Sequence, residues 1–158
     1  MHPLLRLPYA AAAWAADGLA QLPLPGDGKL TQSLRARRSA VAHLLQWAQA
    51  RRDPARTLIW VHAPSVGEGL QARPVIERLR ARHPEWQLLY THFSPSAVRL
   101  AASMAVDVHG YLPFDRRVHA ERILAALQPR AIVFAKLDVW PVLTERAAAR
   151  GIPVAVVS

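Results

Sequence analysis

Residues 57–69 read TLIWVHAPSVGEG. An apolar run rich in β-branched and aromatic residues stops at a turn of small residues, and a single carboxylate, Glu68, stands just beyond it. That order describes a strand handing the chain to the start of a helix, with Ser65 at the N-cap and Glu68 in the first turn. The same alternation continues outward. VGEGLQARPVIERLRARH (66–83) sets Leu70, Val75, Ile76 and Leu79 at helical spacing, and Pro74 is expected to kink or divide that helix. WQLLYTHF (86–93) predicts a second strand. SPSAVRLAASM (94–104) predicts a short helix capped by Ser94, with Pro95 at its first position. VDVHGYLP (106–113) is a weaker strand and RRVHAERILAALQ (116–128) an amphipathic helix. AIVFAKL (131–137) is a nearly continuous apolar run, expected to be the most buried strand. WPVLTERAAAR (140–150) is a helix stopped by Gly151, and PVAVVS (153–158) a final strand.

Strands alternating with helices of this length build βαβ units on a parallel sheet, so the fold class is α/β and Rossmann-like. Right-handed crossovers bring every strand-to-helix loop to one edge. Ligands of such sheets bind outside the carboxyl ends of the strands. Four loops therefore share a rim: PSVGEG, FSPS, PFDRR and KLDVWP.

The chemistry-bearing residues of that rim each admit two readings. Ser65 and Glu68 have the spacing of a capping box, in which the Ser65 hydroxyl accepts from the Glu68 amide and the carboxylate reaches back to the Ser65 amide. The same turn suits a ligand: Gly67 permits close approach to the backbone and the helix start favours an anion. Ser94 and Ser96 offer two hydroxyls, of which capping uses one. Lys136 and Asp138 follow the apolar strand, and either pair with each other or face a ligand. Seven histidines (2, 43, 62, 83, 92, 109 and 119) show no H-x-x-x-H spacing, and there is no cysteine, so no metal site is expected. A Walker A loop, a G-x-G-x-x-G turn and a G-x-S-x-G elbow are all missing from the sequence.

The formal net charge of +9 over 158 residues favours anionic partners. Lys29, Arg35, Arg37, Arg38, Arg51, Arg52 and Arg56 are concentrated ahead of the first strand, against the single acid Asp53. They read either as a solvated face or as a binding surface. Residues 1–28 are apolar and alanine-rich, but their uncharged run from Leu7 to Ala16 is ten residues long, short of the roughly 20 a spanning helix needs. An interfacial segment is expected there, a cleaved signal peptide being the second reading. The organisation is thus an apolar, membrane-associated segment (1–28), a separate basic helix with linkers (29–56) and a Rossmann-like domain (57–158).

LIWVHAPSVGEGLQARPVIERL, YTHFSPSA, YLPFD, KLDVWPVL and RGIPVAVVS occur in the order and spacing of one family. Over residues 57–158 the chain resembles the N-terminal half of the 3-deoxy-D-manno-octulosonic acid (Kdo) transferases of lipopolysaccharide core assembly. W-x-H-A-x-S-V-G-E is the most specific piece. The resemblance implies a two-domain GT-B glycosyltransferase whose first domain faces the lipid acceptor and whose second domain binds CMP-Kdo. It implies inverting transfer of Kdo to a hydroxyl of a lipid A precursor, with no metal or other cofactor, at the cytoplasmic face of the bacterial inner membrane. Glu68 takes the place of the family's general base. Ser65, Gly67, Ser94, Ser96, Lys136 and Asp138 are then the expected substrate contacts. The partners expected are lipid A precursor and an anionic membrane surface, not nucleic acid.

Two departures stand out. The family's E-x-E-x-W-P is represented by Lys136 and Asp138, one charge reversed and one carboxylate shortened. The family's T-x-T-x-T-G turn is THFSPSA, with Ala97 where the glycine stands. With no second domain after Ser158, the chain is expected to be a fragment without transfer activity alone. Two other functions stay open on the residues: a non-catalytic module for anionic lipid or a partner protein, and a nucleic-acid-binding domain. The latter has no signature beyond charge.

Overall fold

The computed structural model of the chain describes residues 3–23, 26, 28–136 and 138–157. Leu137 and Ser158, read above as strand residues, lie outside them, as do residues 1, 2, 24, 25 and 27 of the apolar segment and the side chain of Lys29. Five strands form the sheet: β1 (Leu58–His62), β2 (Gln87–His92), β3 (Val108–Tyr111), β4 (Ala131–Ala135) and β5 (Val154–Val157). They run parallel in the order β3-β2-β1-β4-β5. The crossovers are α4 (Val66–Arg82), a 3-10 turn (Pro95–Ala97) leading into α5 (Val98–Ala102), α6 (Arg117–Leu127) and α7 (Pro141–Ala148). The α/β class and the parallel sheet are those the sequence predicts.

Alternate residues of β1 supply two cores. Ile59, Val61 and Ala63 face α4 and α5 with Ala72, Ile76, Leu88 and Tyr90. Leu58 and Trp60 meet Leu89, Ile132, Phe134 and the α6 residues Ile123, Leu124 and Leu127 on the other side. A strand covered on both faces needs an apolar residue at nearly every position, which is why 57–63 lacks polar alternation. β1 and β2 are buried at every residue, whereas Ala131 and Val133 of β4 are half-buried. β4 is therefore not the most buried strand; the centre of the sheet belongs to β1.

α4 runs unbroken through Pro74. Pro74 is exposed, so the carbonyl left without its amide donor is on the solvent side and can be hydrated. After α7 the chain turns and closes at Gly151, whose φ of +68° suits glycine and stops the helix from continuing. Gly151 N–H donates to the Ala148 carbonyl and Ile152 N–H to that of Ala147.

Ahead of the sheet lie α1 (Pro3–Gln21), α2 (Lys29–Arg37) and α3 (Ala40–Arg51). The basic stretch, expected as one separate helix, is two helices packed on the sheet domain. α3 buries Leu44 and Ala48 in the α6 core, and His43 Nε2 meets the His109 carbonyl at 2.9 Å. Arg52 donates to the carbonyls of Leu127 (2.6 Å) and Arg56 (2.8 Å) and to Gln87 Oε1 (2.9 Å). Arg38 donates to the carbonyls of Ala20 (2.8 Å) and Leu22 (2.7 Å), closing the C-terminus of α1. Much of the basic run is thus spent on bracing the chain and not on a solvated face. No helix among the described residues is long and apolar enough to cross a membrane. α1 nevertheless exposes Leu7, Trp14 and Leu19, followed by Leu22.

Candidate active site

The order 3-2-1-4-5 has a topological switch point between β1 and β4: the chain moves outward from β1 to β3 and then returns to the other side. The loops leaving β1 and β4 part there, which is the crevice position at which doubly wound sheets bind ligands. The loop after β1 carries Ser65, Gly67 and Glu68. The loop after β4 carries Lys136 and Asp138.

Glu68 sits in the first turn of α4, its side chain 23% exposed. The expected capping box is not formed: Ser65 is the N-cap, but its side chain caps no amide. Its hydroxyl instead donates to Glu68 Oε2, an alternative with the same spacing. Lys136 Nζ approaches the other oxygen, Oε1, at 4.0 Å. The carboxylate is held by a hydroxyl and an ammonium and remains open to solvent. Lys136 has a φ of +58°, an unusual backbone state for a non-glycine residue. Gly67 meets only the Ser65 hydroxyl near the position of a Cβ, at 3.8 Å, so the turn is uncrowded.

Of the two readings of Lys136 and Asp138, mutual pairing is not what the fold adopts: Lys136 approaches Glu68 and Asp138 meets His62. Asp138 Oδ2 accepts from His62 Nε2 at 3.0 Å and from the Trp140 indole at 3.1 Å. His62, at the end of β1, is wholly buried, and its Nδ1 lies 3.0 Å from Thr91 Oγ1. Thr91 also accepts from the Trp60 indole at 2.8 Å. Burial holds the His62 imidazolium well below its usual range, outweighing the pull of Asp138. The His62 hydrogen bond in turn keeps the Asp138 carboxyl below its usual range against partial burial. A neutral imidazole therefore faces a charged carboxylate. Since a carboxylate only accepts, Nε2 carries the proton, Nδ1 accepts from the Thr91 hydroxyl, and Thr91 accepts from Trp60. Every donor in that chain has an acceptor.

Ser94 and Ser96 lie on the rim, in the loop after β2. Ser94 Oγ caps the 3-10 turn by accepting from the Ser96 amide at 3.3 Å, and the two hydroxyls meet at 2.8 Å.

Two buried charges below the rim were not anticipated. Arg37 of α2 donates to the carbonyls of Leu112 (2.8 Å) and Pro113 (3.0 Å). Its guanidinium also lies against the rings of Phe93, Phe114 and Trp140, at 4.4, 4.3 and 5.0 Å. One side chain thereby ties together the loops after β2, β3 and β4. Asp115 accepts from the amides of Val142 and Leu143, both at 2.8 Å, and from the Tyr9 hydroxyl at 2.7 Å. It caps α7 from a distant loop. The signal was present: α7 begins Trp140-Pro141, with no local side chain to serve its first amides. No comparable signal marks His62, which reads as part of an apolar strand.

Comparison with known proteins bears on the same region. The family model described as 3-deoxy-D-manno-octulosonic-acid transferase (kdotransferase) matches residues 32–158. The 3-deoxy-D-manno-octulosonic acid transferase of Rickettsia felis is 33% identical over 89 residues, 55% of this chain and 19% of that protein. The Haemophilus influenzae enzyme is 32% identical over 97 residues, 60% of this chain and 23% of its own length. The probable mitochondrial enzyme of Arabidopsis thaliana is 33% identical over 102 residues, covering 63% and 23% respectively. The chain thus aligns with about a fifth to a quarter of the length of these relatives.

Proposed function

Because the chain belongs to the 3-deoxy-D-manno-octulosonic-acid transferase family, we propose that it is the acceptor-facing, N-terminal part of a GT-B glycosyltransferase. That enzyme moves Kdo from CMP-Kdo to a hydroxyl of a lipid A precursor in lipopolysaccharide synthesis. Residues 57–158 form the acceptor domain in this reading, 29–56 brace it, and 1–28 lie at the membrane. The observation that carries it is Glu68 at the switch-point crevice, partly exposed and held at one oxygen by Ser65 and near the other by Lys136.

In this mechanism Glu68 accepts the proton of the acceptor hydroxyl as that oxygen attacks the anomeric carbon of Kdo. The bond to CMP breaks on the opposite side, with inversion. The Ser65 hydrogen bond fixes the carboxylate's rotation, which matters because proton transfer needs an approach of about 2.6–3.2 Å. Lys136, half exposed, offers its charge to an acidic group of the substrate. Asp138, Ser94 and Ser96 contact sugar hydroxyls, and Gly67 lets the acceptor lie against the turn. The exposed Leu7, Trp14 and Leu19 of α1 support contact with the cytoplasmic face of the inner membrane, to which the net charge of +9 adds attraction.

The test is Glu68→Gln in a full-length transferase that carries this sequence as its N-terminal part. Transfer from CMP-Kdo to lipid A precursor should fall by about 10²–10⁴-fold, the usual contribution of a general base, with the folded fraction unchanged. A variant that keeps wild-type turnover would end the proposal.

A further inference from the structure

The geometry points to His62 as a positioning residue: its Nε2–H fixes one oxygen of Asp138 at the crevice, leaving the other to receive a hydroxyl of the acceptor sugar. This rests on the acceptor-domain reading above. Asp138 is 39% exposed, yet two donors, His62 Nε2 at 3.0 Å and Trp140 Nε1 at 3.1 Å, converge on Oδ2. Oδ1 takes no donor from the described residues. A carboxylate so held has lost its freedom to rotate before a ligand arrives, and a hydroxyl bonding to Oδ1 has less disorder to overcome.

His62 suits the role because it is itself fixed. It is fully buried, and Thr91, oriented by the Trp60 indole, donates to its Nδ1. It also packs edge-on against Phe134 and Trp140, with ring centroids 5.8 and 6.4 Å away. The charged or titratable groups around it are Asp138 after β4, Arg37 from α2 and His92 from β2. Burial and the nearby Arg37 both oppose an imidazolium, so the link to Asp138 is a hydrogen bond from a neutral ring. A polar chain of this kind, wholly inside an apolar wall, would cost less as leucine and phenylalanine if packing were its only purpose. Its outlet is the Asp138 carboxylate, on the loop after β4.

Two variants separate positioning from packing. His62→Gln keeps a donor toward Asp138 and an acceptor toward Thr91; His62→Leu keeps volume and loses both. The probe is a bisphosphorylated lipid A disaccharide in detergent micelles, titrated into the 158-residue chain and followed by the Trp140 indole resonance. In parallel, ¹⁵N resonances of the histidines report the tautomer. Wild-type His62 should be the neutral Nε2–H form. His62→Leu should bind the glycolipid about tenfold more weakly, the loss expected for one hydrogen bond to a charged group, and His62→Gln should recover most of that loss. Folded His62→Leu binding as tightly as wild type, or an Nδ1–H tautomer, overturns the positioning role alone. Wild-type chain that binds no such glycolipid overturns the acceptor reading and this inference with it, even if the tautomer is as stated.

Discussion

Arg37 carries a charge into a space that water does not reach, being 4% exposed. Burial lowers its pKa to about 10, so it stays protonated at neutral pH. Three aromatic faces and two carbonyls replace its hydration shell, while the carboxylates of Asp115 and Asp138 balance its charge. Removing it leaves the Leu112 and Pro113 carbonyls without that donor and Asp115 without the positive charge that favours its ionised form. Arg37→Met is expected to cost about 3 kcal/mol of unfolding free energy, the scale for breaking a buried charge arrangement from one side. Arg37→Lys should recover little, because an ammonium cannot reproduce the planar fork. Urea denaturation of the two variants checks both statements; an Arg37→Lys protein with wild-type stability would contradict them.

At the scale of the element, α4 matters most, because its first turn carries Glu68 and its seat on the sheet sets where that carboxylate stands. Gly69 makes the seat: a Cβ there would lie 2.5 Å from Leu100 Cδ2 and 2.7 Å from the Tyr90 hydroxyl. Tyr90 is itself fully buried, its pKa pushed up to about 12 by burial and then by the nearby Glu68 charge. Gly69→Ala should therefore cost about 1–3 kcal/mol by overpacking, visible as a lower urea midpoint, and in the full-length enzyme should reduce turnover by displacing Glu68. An unchanged midpoint would mean that Leu100 yields freely. The alternation of strand and helix was legible in residues 57–157 because fully buried strands and amphipathic helices leave different apolar periods. The rim loops followed from the topology. What was not legible is pairing. S-x-x-E fixes the distance between Ser65 and Glu68 but not whether the hydroxyl accepts from an amide or donates to the carboxylate. Lys136 and Asp138 are near in sequence, yet each finds its partner on the loop or strand across the crevice. Asp115 caps a helix whose amide lies 27 residues along the chain. Arg37 looks like its neighbours in a basic run until the fold closes over it.

At the scale of the whole molecule, the sheet's exit edge makes stability depend on acid. His92 is 1% exposed, and burial lowers its pKa to about 4; His62 and His109 are also lowered, burial again being the largest cause. In the unfolded chain these groups titrate near 6.5. Below that pH the unfolded state binds more protons than the native one, so stability is full above about 6.5 and falls as pH drops toward the folded values. For His92 alone the lowering from 6.5 to about 4 corresponds to about 3–4 kcal/mol at most, at roughly 1.4 kcal/mol per unit. Asp115 acts in the opposite sense. Burial raises its pKa, so a cost it imposes at neutral pH is relieved on acidification. That offset sets in above 3.8, the ordinary value from which the Asp115 carboxyl is raised, and one carboxyl opposes three histidines. Urea midpoints should therefore fall steadily between pH 7 and pH 5, and His92→Gln, which can still donate to the Ser94 carbonyl that His92 meets at 3.1 Å, should flatten the slope. A wild-type midpoint that does not move over this range would refute the account. The three histidines lie at the end of β1, the end of β2 and within β3, so the loss should begin there. Amide exchange at pH 5 is expected to quicken first in residues 91–94 and 108–112, while Ile123, Leu124 and Leu127 of α6, each almost fully buried, keep their protection until global unfolding.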